Sequence, residues 1–272
     1  MTMTHKKALA VISFGSTYDD TRIQDIGGIE QALAAAFPAY DQYRAFTSGI
    51  IRKRLGERGI KIESPDELLE RLADIGYKEL ILQPTHLLHG EEFEQKILAL
   101  KEKYQAAFED IIISTPLITT ENDYKLTAAA AVSVLPRLEA GEGVVFMGHG
   151  SPRNNNKSFG RTYNKLQKLF DAMGVPALIG TVEDEDSPNF DAVLKELRQR
   201  GYHKVHMYPF MVVAGDHANN DMYGDDDDSW RTQIEALGIK TCGHLQGMGR
   251  SKAIQAIYIQ HALMAIAEHL HN

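Results

Sequence analysis

The chain has 272 residues and a formal net charge of −8, with 43% hydrophobic and 24% charged residues. These fractions are those of an ordinary globular protein, and they exclude the disordered and fibrous classes. The negative charge argues against a nucleic-acid partner, because a surface that binds phosphates needs clustered positive charge.

The first apolar run, 8–13, is too short for a signal sequence or a membrane span, so we expect a cytoplasmic protein without a membrane partner. Cys242 is the only cysteine, which excludes an internal disulfide. A single thiolate cannot build a metal site by itself, so we expect any metal ion to be held by histidines and carboxylates.

Strands alternate with helices along the first half. An apolar run before Phe14-Gly15-Ser16 predicts a buried parallel strand that ends in a tight turn. Ser64-Pro65-Asp66-Glu67 has the pattern of a helix N-terminus with a capping box. The predicted strands are 8–13, 40–46, 79–83 and 111–114, and the predicted helices are 21–37, 50–58, 64–76, 91–108 and 122–135.

The same alternation begins again in the second half. The predicted strands are 144–147, 177–182, 204–210 and 240–244, and the predicted helices are 159–173, 189–200, 230–237 and 251–271. A polar loop at 152–158 and a long polar segment at 214–228 interrupt the pattern. Strands that alternate with helices on this scale predict βαβ units and parallel sheets.

An internal repeat relates the two halves. Ser64-Pro65, Gly76-Tyr77 and Pro84 recur, in the same order relative to helix and strand, as Ser187-Pro188, Gly201-Tyr202 and Pro209. In this register Phe14 lies opposite His149, and Glu92 lies opposite His217. We therefore predict two similar α/β domains, 1–140 and 141–272, joined near 138–143, each a parallel β-sheet flanked by helices, with an active-site cleft between their strand ends.

Polar side chains follow strand ends of the second half. His149 follows the apolar run 144–147 within Gly148-His149-Gly150-Ser151, Glu183 follows 177–182, and His217 lies in the polar segment. Ends of parallel strands meet at one edge of a sheet, so these side chains are expected to converge. Two imidazoles and a carboxylate suit a borderline divalent ion such as Co²⁺, Ni²⁺, Fe²⁺ or Zn²⁺.

Four segments carry a resemblance to a known family. They are Phe146-Met147-Gly148-His149-Gly150-Ser151, Gly180-Thr181-Val182-Glu183, the run from Pro209 to Met222 with Gly-Asp-His-Ala-Asn-Asn-Asp-Met at its end, and Leu88-His89-Gly90-Glu91-Glu92-Phe93. The chain resembles, over nearly its whole length, the anaerobic sirohydrochlorin cobaltochelatases of the CbiK type, which are class II tetrapyrrole chelatases related in fold to ferrochelatase.

The resemblance implies an enzyme that inserts Co²⁺ into sirohydrochlorin, a tetrapyrrole, during cobalamin biosynthesis. It implies that His149, Glu183 and His217 bind the metal ion and that His149 is also the base that accepts pyrrole protons. No Gly-x-x-x-x-Gly-Lys-Ser/Thr motif is present, so we expect no nucleotide cofactor.

Further residues are candidates for contact with the substrate. Phe14, Ser16, His89 and Glu92 are the predicted substrate-binding residues, with ordinary core packing as the alternative for Phe14. Because the substrate carries many carboxylates, basic residues near the site are expected to meet them, and the candidates are Arg54, Arg153 and Lys157.

Alternatives to this function stay open. Insertion of Fe²⁺ for siroheme is the nearest, and a two-lobed carrier of metal or haem is the alternative from a different class. A Rossmann dinucleotide enzyme is disfavoured because the first strand is followed by Phe14-Gly15-Ser16-Thr17 and not by a Gly-x-Gly-x-x-Gly motif. Homo-oligomerisation also stays open.

Overall fold

The computed structural model describes residues 6–151 and 160–271. This part of the chain forms two units. The first contains the residues up to Thr119 together with those from Gly249 onward, and the second contains residues 120–248.

Each unit contains one sheet of four parallel strands. In the first sheet the strands lie in the order β2-β1-β3-β4, and in the second the order is β6-β5-β7-β8. The strands are β1 (Lys6–Ser13), β2 (Asp41–Phe46), β3 (Tyr77–Pro84), β4 (Asp110–Ile113), β5 (Glu142–Gly148), β6 (Ala177–Thr181), β7 (Lys204–Pro209) and β8 (Lys240–Gly243). The identical order confirms the repeat that the sequence predicts.

Helices cover the sheets, and π-helical turns interrupt or replace some of them. The helices are α1 (Asp19–Thr21), α2 (Gly27–Ala36), α3 (Gly49–Glu57), α4 (Pro65–Asp74), α5 (Glu91–Phe93), α6 (Ala99–Tyr104), α7 (Glu121–Ser133), α8 (Thr162–Ala172), α9 (Phe190–Arg200), α10 (Trp230–Glu235) and α11 (Lys252–His271). The π-helical turns are Arg22–Ile26, Glu94–Leu98 and His217–Met222. The last of these lies within the segment that the sequence analysis describes only as polar.

Local sequence explains several of these boundaries. Ser64 accepts a hydrogen bond from the Glu67 N–H while the Glu67 side chain accepts one from the Ser64 N–H, so the predicted capping box at α4 is confirmed. The central strands β1 and β5 are buried along their apolar runs, as expected for parallel strands covered on both faces. Among the described residues, no helix combines the length and the hydropathy needed to cross a membrane.

The division between the units differs from the predicted domains 1–140 and 141–272. Helix α11 packs against α2, β3 and β4 of the first unit. Its Tyr258 hydroxyl donates to the carbonyl of Thr85, the residue after β3, at 3.0 Å. Helix α7 packs against α8 of the second unit. The polar stretch 138–143, predicted as the join, lies inside the second unit, immediately before and at the start of β5.

The strand order creates a reversal in each sheet. In the second sheet β6 lies on one side of β5 and β7 on the other, so the chain leaves β5 and β7 in opposite directions. The carboxyl ends of such strands flank a crevice, which is the usual ligand position in open α/β sheets. This crevice of the second unit is where the predicted metal ligands follow their strands.

Candidate functional site

The three predicted metal ligands leave one edge of the second sheet. His149 directly follows β5, Glu183 lies two residues beyond β6, and His217 begins the π-helical turn that follows β7. Gly148 at the end of β5 pairs with Thr181 at the end of β6, so these two strands end level with each other. His149 and Glu183 therefore follow neighbouring strands at the same edge of the sheet.

The two histidines are in direct contact. The rings of His149 and His217 meet edge to face, with 4.9 Å between their centroids and 86° between their planes. The backbone N–H of Glu183 donates to the His149 carbonyl at 3.0 Å, which fixes the start of the Glu183 loop beside His149. The two imidazoles therefore lie together at the crevice, and the Glu183 loop begins beside them.

Asp221 orients the His217 ring. Its carboxylate oxygen Oδ2 lies 2.6 Å from His217 Nδ1, one turn further along the π-helical segment. A carboxylate at this nitrogen favours the tautomer with the proton on Nδ1, which leaves the lone pair of Nε2 free for a metal ion. Asp221 is not among the residues predicted from the sequence, although its spacing of four residues from His217 is a signal that could have identified it.

The environment of His149 favours its neutral form. Desolvation first, and then the nearby His217 ring, lower the pKa of His149 below its ordinary value, against smaller opposite effects of the Gly150 carbonyl and Glu183. A neutral imidazole can bind a divalent metal ion or accept a proton, whereas a protonated imidazole can do neither. The electrostatics of the site therefore suit both roles that the sequence analysis gives to His149.

The turn that carries His149 depends on two glycines. Gly150 has a φ of +102°, and a Cβ there would lie 2.6 Å from the Cβ of Glu183. A Cβ on Gly148 would lie 2.1 Å from the ring of Tyr163, whose hydroxyl accepts a hydrogen bond from the Gly150 N–H at 3.2 Å. Close backbone approach to Tyr163 and Glu183 thus explains why both positions flanking His149 are glycine.

Asp186 anchors the loops on both sides of the site, and the sequence analysis misses it. The side chain is 2% exposed, and its oxygens accept hydrogen bonds at 2.7 Å from three backbone N–H groups, those of Ser151, Gly160 and Ser187. A buried carboxylate that accepts several backbone hydrogen bonds holds loops in one conformation. The acidic stretch Glu183 to Asp186 therefore contains both a candidate ligand and a structural residue.

Among the described residues, His149, Glu183 and His217 do not form a group whose three ligand atoms all lie within 4.8 Å of one another. Among residues 6–151 and 160–271, the one group of three with all ligand atoms within 4.8 Å of one another is His206, Cys242 and His244. The three-ligand set of His149, Glu183 and His217 therefore stays a prediction.

The predicted substrate-binding residues lie in the first unit, at the ends of β1 and β3. Phe14 is 54% exposed, which is unlike a residue of the apolar core. Ser16 is 2% exposed, and its hydroxyl accepts a hydrogen bond from the Tyr18 N–H at 3.1 Å, so the turn itself accounts for this serine.

His89 lies two residues before α5, and Glu92 lies within it. His89 Nε2 lies 3.2 Å from a carboxylate oxygen of Glu94, and Glu92 lies 3.8 Å from the Lys96 ammonium. The buried Glu92 Oε1 has no hydrogen-bond partner among the described residues. Arg54 is exposed on α3, while Arg153 and Lys157 lie outside the described residues.

Comparisons with known proteins give one consistent result. The family model described as cobalt chelatase (CbiK) matches residues 7–267. The sirohydrochlorin cobaltochelatase of Salmonella typhimurium is 39% identical over 262 residues, which are 96% of this chain and 97% of that protein. The sirohydrochlorin cobaltochelatase CbiKC of Nitratidesulfovibrio vulgaris is 28% identical and covers 96% of this chain and 91% of its own.

A solved structure shares the fold. SirB from Bacillus subtilis with Fe³⁺ superposes with a TM-score of 0.67 at 14% identity and covers 98% of both chains. The predicted fold class, two similar α/β domains with parallel sheets flanked by helices, is thereby confirmed. The cleft predicted between the domains stays a prediction.

Proposed function

The chain belongs to the cobalt chelatase (CbiK) family, and we propose that this metal chelatase inserts Co²⁺ into sirohydrochlorin, as a step of cobalamin biosynthesis. The single observation that carries the proposal at the level of the site is the contact between His149 and His217, with 4.9 Å between ring centroids. The contact supports the assignment of this crevice as the place where the metal ion is held.

The chemistry of metal insertion determines what the site has to do. Inserting M²⁺ into the macrocycle releases two pyrrole N–H protons and forms four metal–nitrogen bonds, so the site has to accept protons and has to release the metal ion. His149 is the proposed base. Its lowered pKa keeps it neutral and ready to take a proton, and assistance by a general base typically contributes about 10²–10⁴-fold.

Ligands of moderate strength suit a metal ion that must leave. His149, Glu183 and His217 offer two nitrogens and one carboxylate, without a thiolate that would hold a borderline ion tightly. The Asp221 carboxylate keeps the His217 lone pair on Nε2 available. These residues are the proposed transient ligands of Co²⁺ before it passes to the macrocycle.

The first unit is proposed to supply substrate contacts. The exposure of Phe14 supports stacking on the planar macrocycle over the alternative of core packing. His89 and Glu92 are proposed contacts. Glu92 Oε1 pairs with the Lys96 ammonium at 3.8 Å but accepts no hydrogen bond among the described residues, which supports a polar contact there. The burial of Ser16 gives no support to a substrate contact at that residue.

Turnover with two metals tests the proposal. Purified protein is incubated anaerobically with excess sirohydrochlorin and either Co²⁺ or Fe²⁺, and metallation is followed by absorption. We expect many product equivalents per chain, without nucleotide, and a faster rate with Co²⁺. A product limited to one equivalent would indicate a carrier, and a preference for Fe²⁺ would indicate a chelatase for siroheme.

A cytoplasmic location is also part of the proposed function.

A further inference from the structure

A second group of metal-binding side chains lies in the second unit, away from the edge residues His149, Glu183 and His217. His206 is on β7, Cys242 is its pairing partner on the edge strand β8, and His244 follows β8 directly. His206 Nδ1 lies 3.1 Å from His244 Nε2, and Cys242 Sγ lies 3.7 Å from the same His244 nitrogen.

We propose that His206, Cys242 and His244 form a second metal site, which binds a borderline divalent ion such as Zn²⁺ or Co²⁺ through one thiolate and two imidazoles. The proposal does not depend on the proposed chelatase reaction, because none of the three residues belongs to the crevice. Three protein ligands leave one coordination position open in a tetrahedral site.

The distances match those between ligands of one tetrahedral ion. Bonds of about 2.0–2.1 Å to nitrogen and about 2.3 Å to sulfur, at a tetrahedral angle, place two nitrogens about 3.3 Å apart and a nitrogen and a sulfur about 3.6 Å apart. The observed separations of 3.1 and 3.7 Å lie close to these values. All three ligand atoms lie within 4.8 Å of one another, so an ion needs little rearrangement to reach them.

The surroundings of His206 supply a second observation. The residue is 6% exposed, and its Nε2 has no hydrogen-bond partner among the described residues, although a carboxylate oxygen of Glu142 lies 3.5 Å away. The other oxygen of this carboxylate accepts a hydrogen bond from the Lys204 ammonium at 2.9 Å, which holds Glu142 in place beside His206. A carboxylate on the far nitrogen of a metal-binding histidine is the usual arrangement around zinc.

His244 is also held in place. Its ring stacks on Tyr208 with 4.1 Å between centroids and 2° between planes. Tyr208 lies two residues beyond His206 on β7, on the same face of the sheet. A stacked ring loses little freedom when it binds an ion, so the site is partly organised in advance.

The repeat indicates that the fold does not require these side chains. His206 pairs with Cys242 in the second sheet, and the corresponding pair in the first sheet is Ile81 and Ile112. The first half therefore builds the same position from two isoleucines. Polar side chains in place of a packed apolar pair cost stability unless they are hydrogen-bonded or bind an ion, so a bound ion would offset the cost of these two.

Cobalt spectroscopy and alkylation test the site. Metal-free protein is titrated with Co²⁺ in a phosphine reductant, so that Cys242, the only cysteine of the chain, is the only thiol present. We expect one equivalent of Co²⁺ to produce a thiolate-to-cobalt charge-transfer band in the near ultraviolet. One equivalent of Zn²⁺ is expected to slow alkylation of Cys242 by iodoacetamide at least about tenfold.

Matched variants separate this site from the crevice. Cys242→Ser is expected to lose the band and His244→Ala to lose the Zn²⁺ protection, while His217→Ala keeps both, and circular dichroism checks the fold of each variant. The proposal is overturned if wild-type protein shows no band and no protection, which would leave a hydrogen-bonded cluster only. It is equally overturned if His217→Ala abolishes the band, because the ion would then belong to the crevice.

Discussion

His149 and His217 meet edge to face at 4.9 Å, although each follows a different strand of the second sheet. The contact exists because β5 and β7 are neighbours whose carboxyl ends flank the point where the chain direction reverses. His149 has a lowered pKa, and the Asp221 carboxylate orients the ring of His217. The pair therefore combines a neutral base with a prepared metal ligand.

Asp221→Asn tests the orientation of His217. The amide cannot hold the Nδ1 proton of His217 as a carboxylate does, so we expect the affinity of the crevice for Co²⁺ to fall about 10–100-fold. Isothermal titration in the Cys242→Ser background measures the crevice alone. Asp225→Asn is the control, because Asp225 is an exposed partner of Arg231. Equal affinities for the two variants would contradict the role given to Asp221.

Gly150→Ala tests the packing of the turn beside His149. The new Cβ would lie 2.6 Å from the Cβ of Glu183, at a φ of +102°, so either the turn or Glu183 has to move. We expect the metallation rate to fall at least about tenfold, because small displacements at a reacting centre are costly. Gly201→Ala is the matched control, because Gly201 also has a positive φ, +67°, but nothing lies within 4 Å of the new Cβ. A rate equal to that of this control would count against the packing argument.

Asp186→Asn tests the anchor of the loops. The variant removes one charged acceptor that serves three backbone N–H groups. We expect the free energy of unfolding to decrease by about 1–3 kcal/mol, measured by denaturant titration. Asp184 is an exposed neighbour, so the control variant Asp184→Asn should change the free energy of unfolding by no more than about 0.5 kcal/mol. An unchanged midpoint for Asp186→Asn would show that the loops are held by other contacts.

His86 should make the protein sensitive to acid. Burial lowers the pKa of His86 from 6.5 to about 4, and neither ring nitrogen has a hydrogen-bond partner among the described residues. Between these values the unfolded chain binds a proton that the folded chain does not, so stability falls as the pH drops from 6.5 towards 4. This difference in pKa between the folded and the unfolded chain lowers the free energy of unfolding by up to about 3 kcal/mol.

His86→Gln isolates this effect. The variant lacks the titrating ring, so its unfolding free energy should fall less steeply across the same pH range. Denaturant titrations at pH 7, 6, 5 and 4 on both proteins measure the difference in slope. Parallel curves would contradict a buried neutral His86.

Much of the fold could be predicted because its determinants are local. Apolar runs, turn residues and the capping box at Ser64 mark strands and helices, and the repeat doubles each of these signals. The division into units could not be predicted, because α11 resembles any helix with buried apolar residues. Only its packing against α2 and β4 assigns it to the first unit.

The site could be predicted in part for a related reason. His149 and Glu183 each follow an apolar run that the sequence identifies as a strand. Because parallel strands end at the same edge of a sheet, this is enough to place both residues at one edge. Tyr163 and Asp186 were missed because their contacts with the turn depend on the packing of distant segments. The burial of Ser16 was missed as well, because a polar residue in a turn looks accessible until the turn is packed.

The most direct test of the central claim compares two histidine variants in the metallation of sirohydrochlorin by Co²⁺. His149→Ala removes the proposed base and ligand, and His203→Ala removes an exposed histidine of the same unit. We expect multiple-turnover rates to fall at least about 100-fold in His149→Ala and to stay within about twofold of wild type in His203→Ala. A His149→Ala protein that turns over as fast as His203→Ala would contradict this expectation.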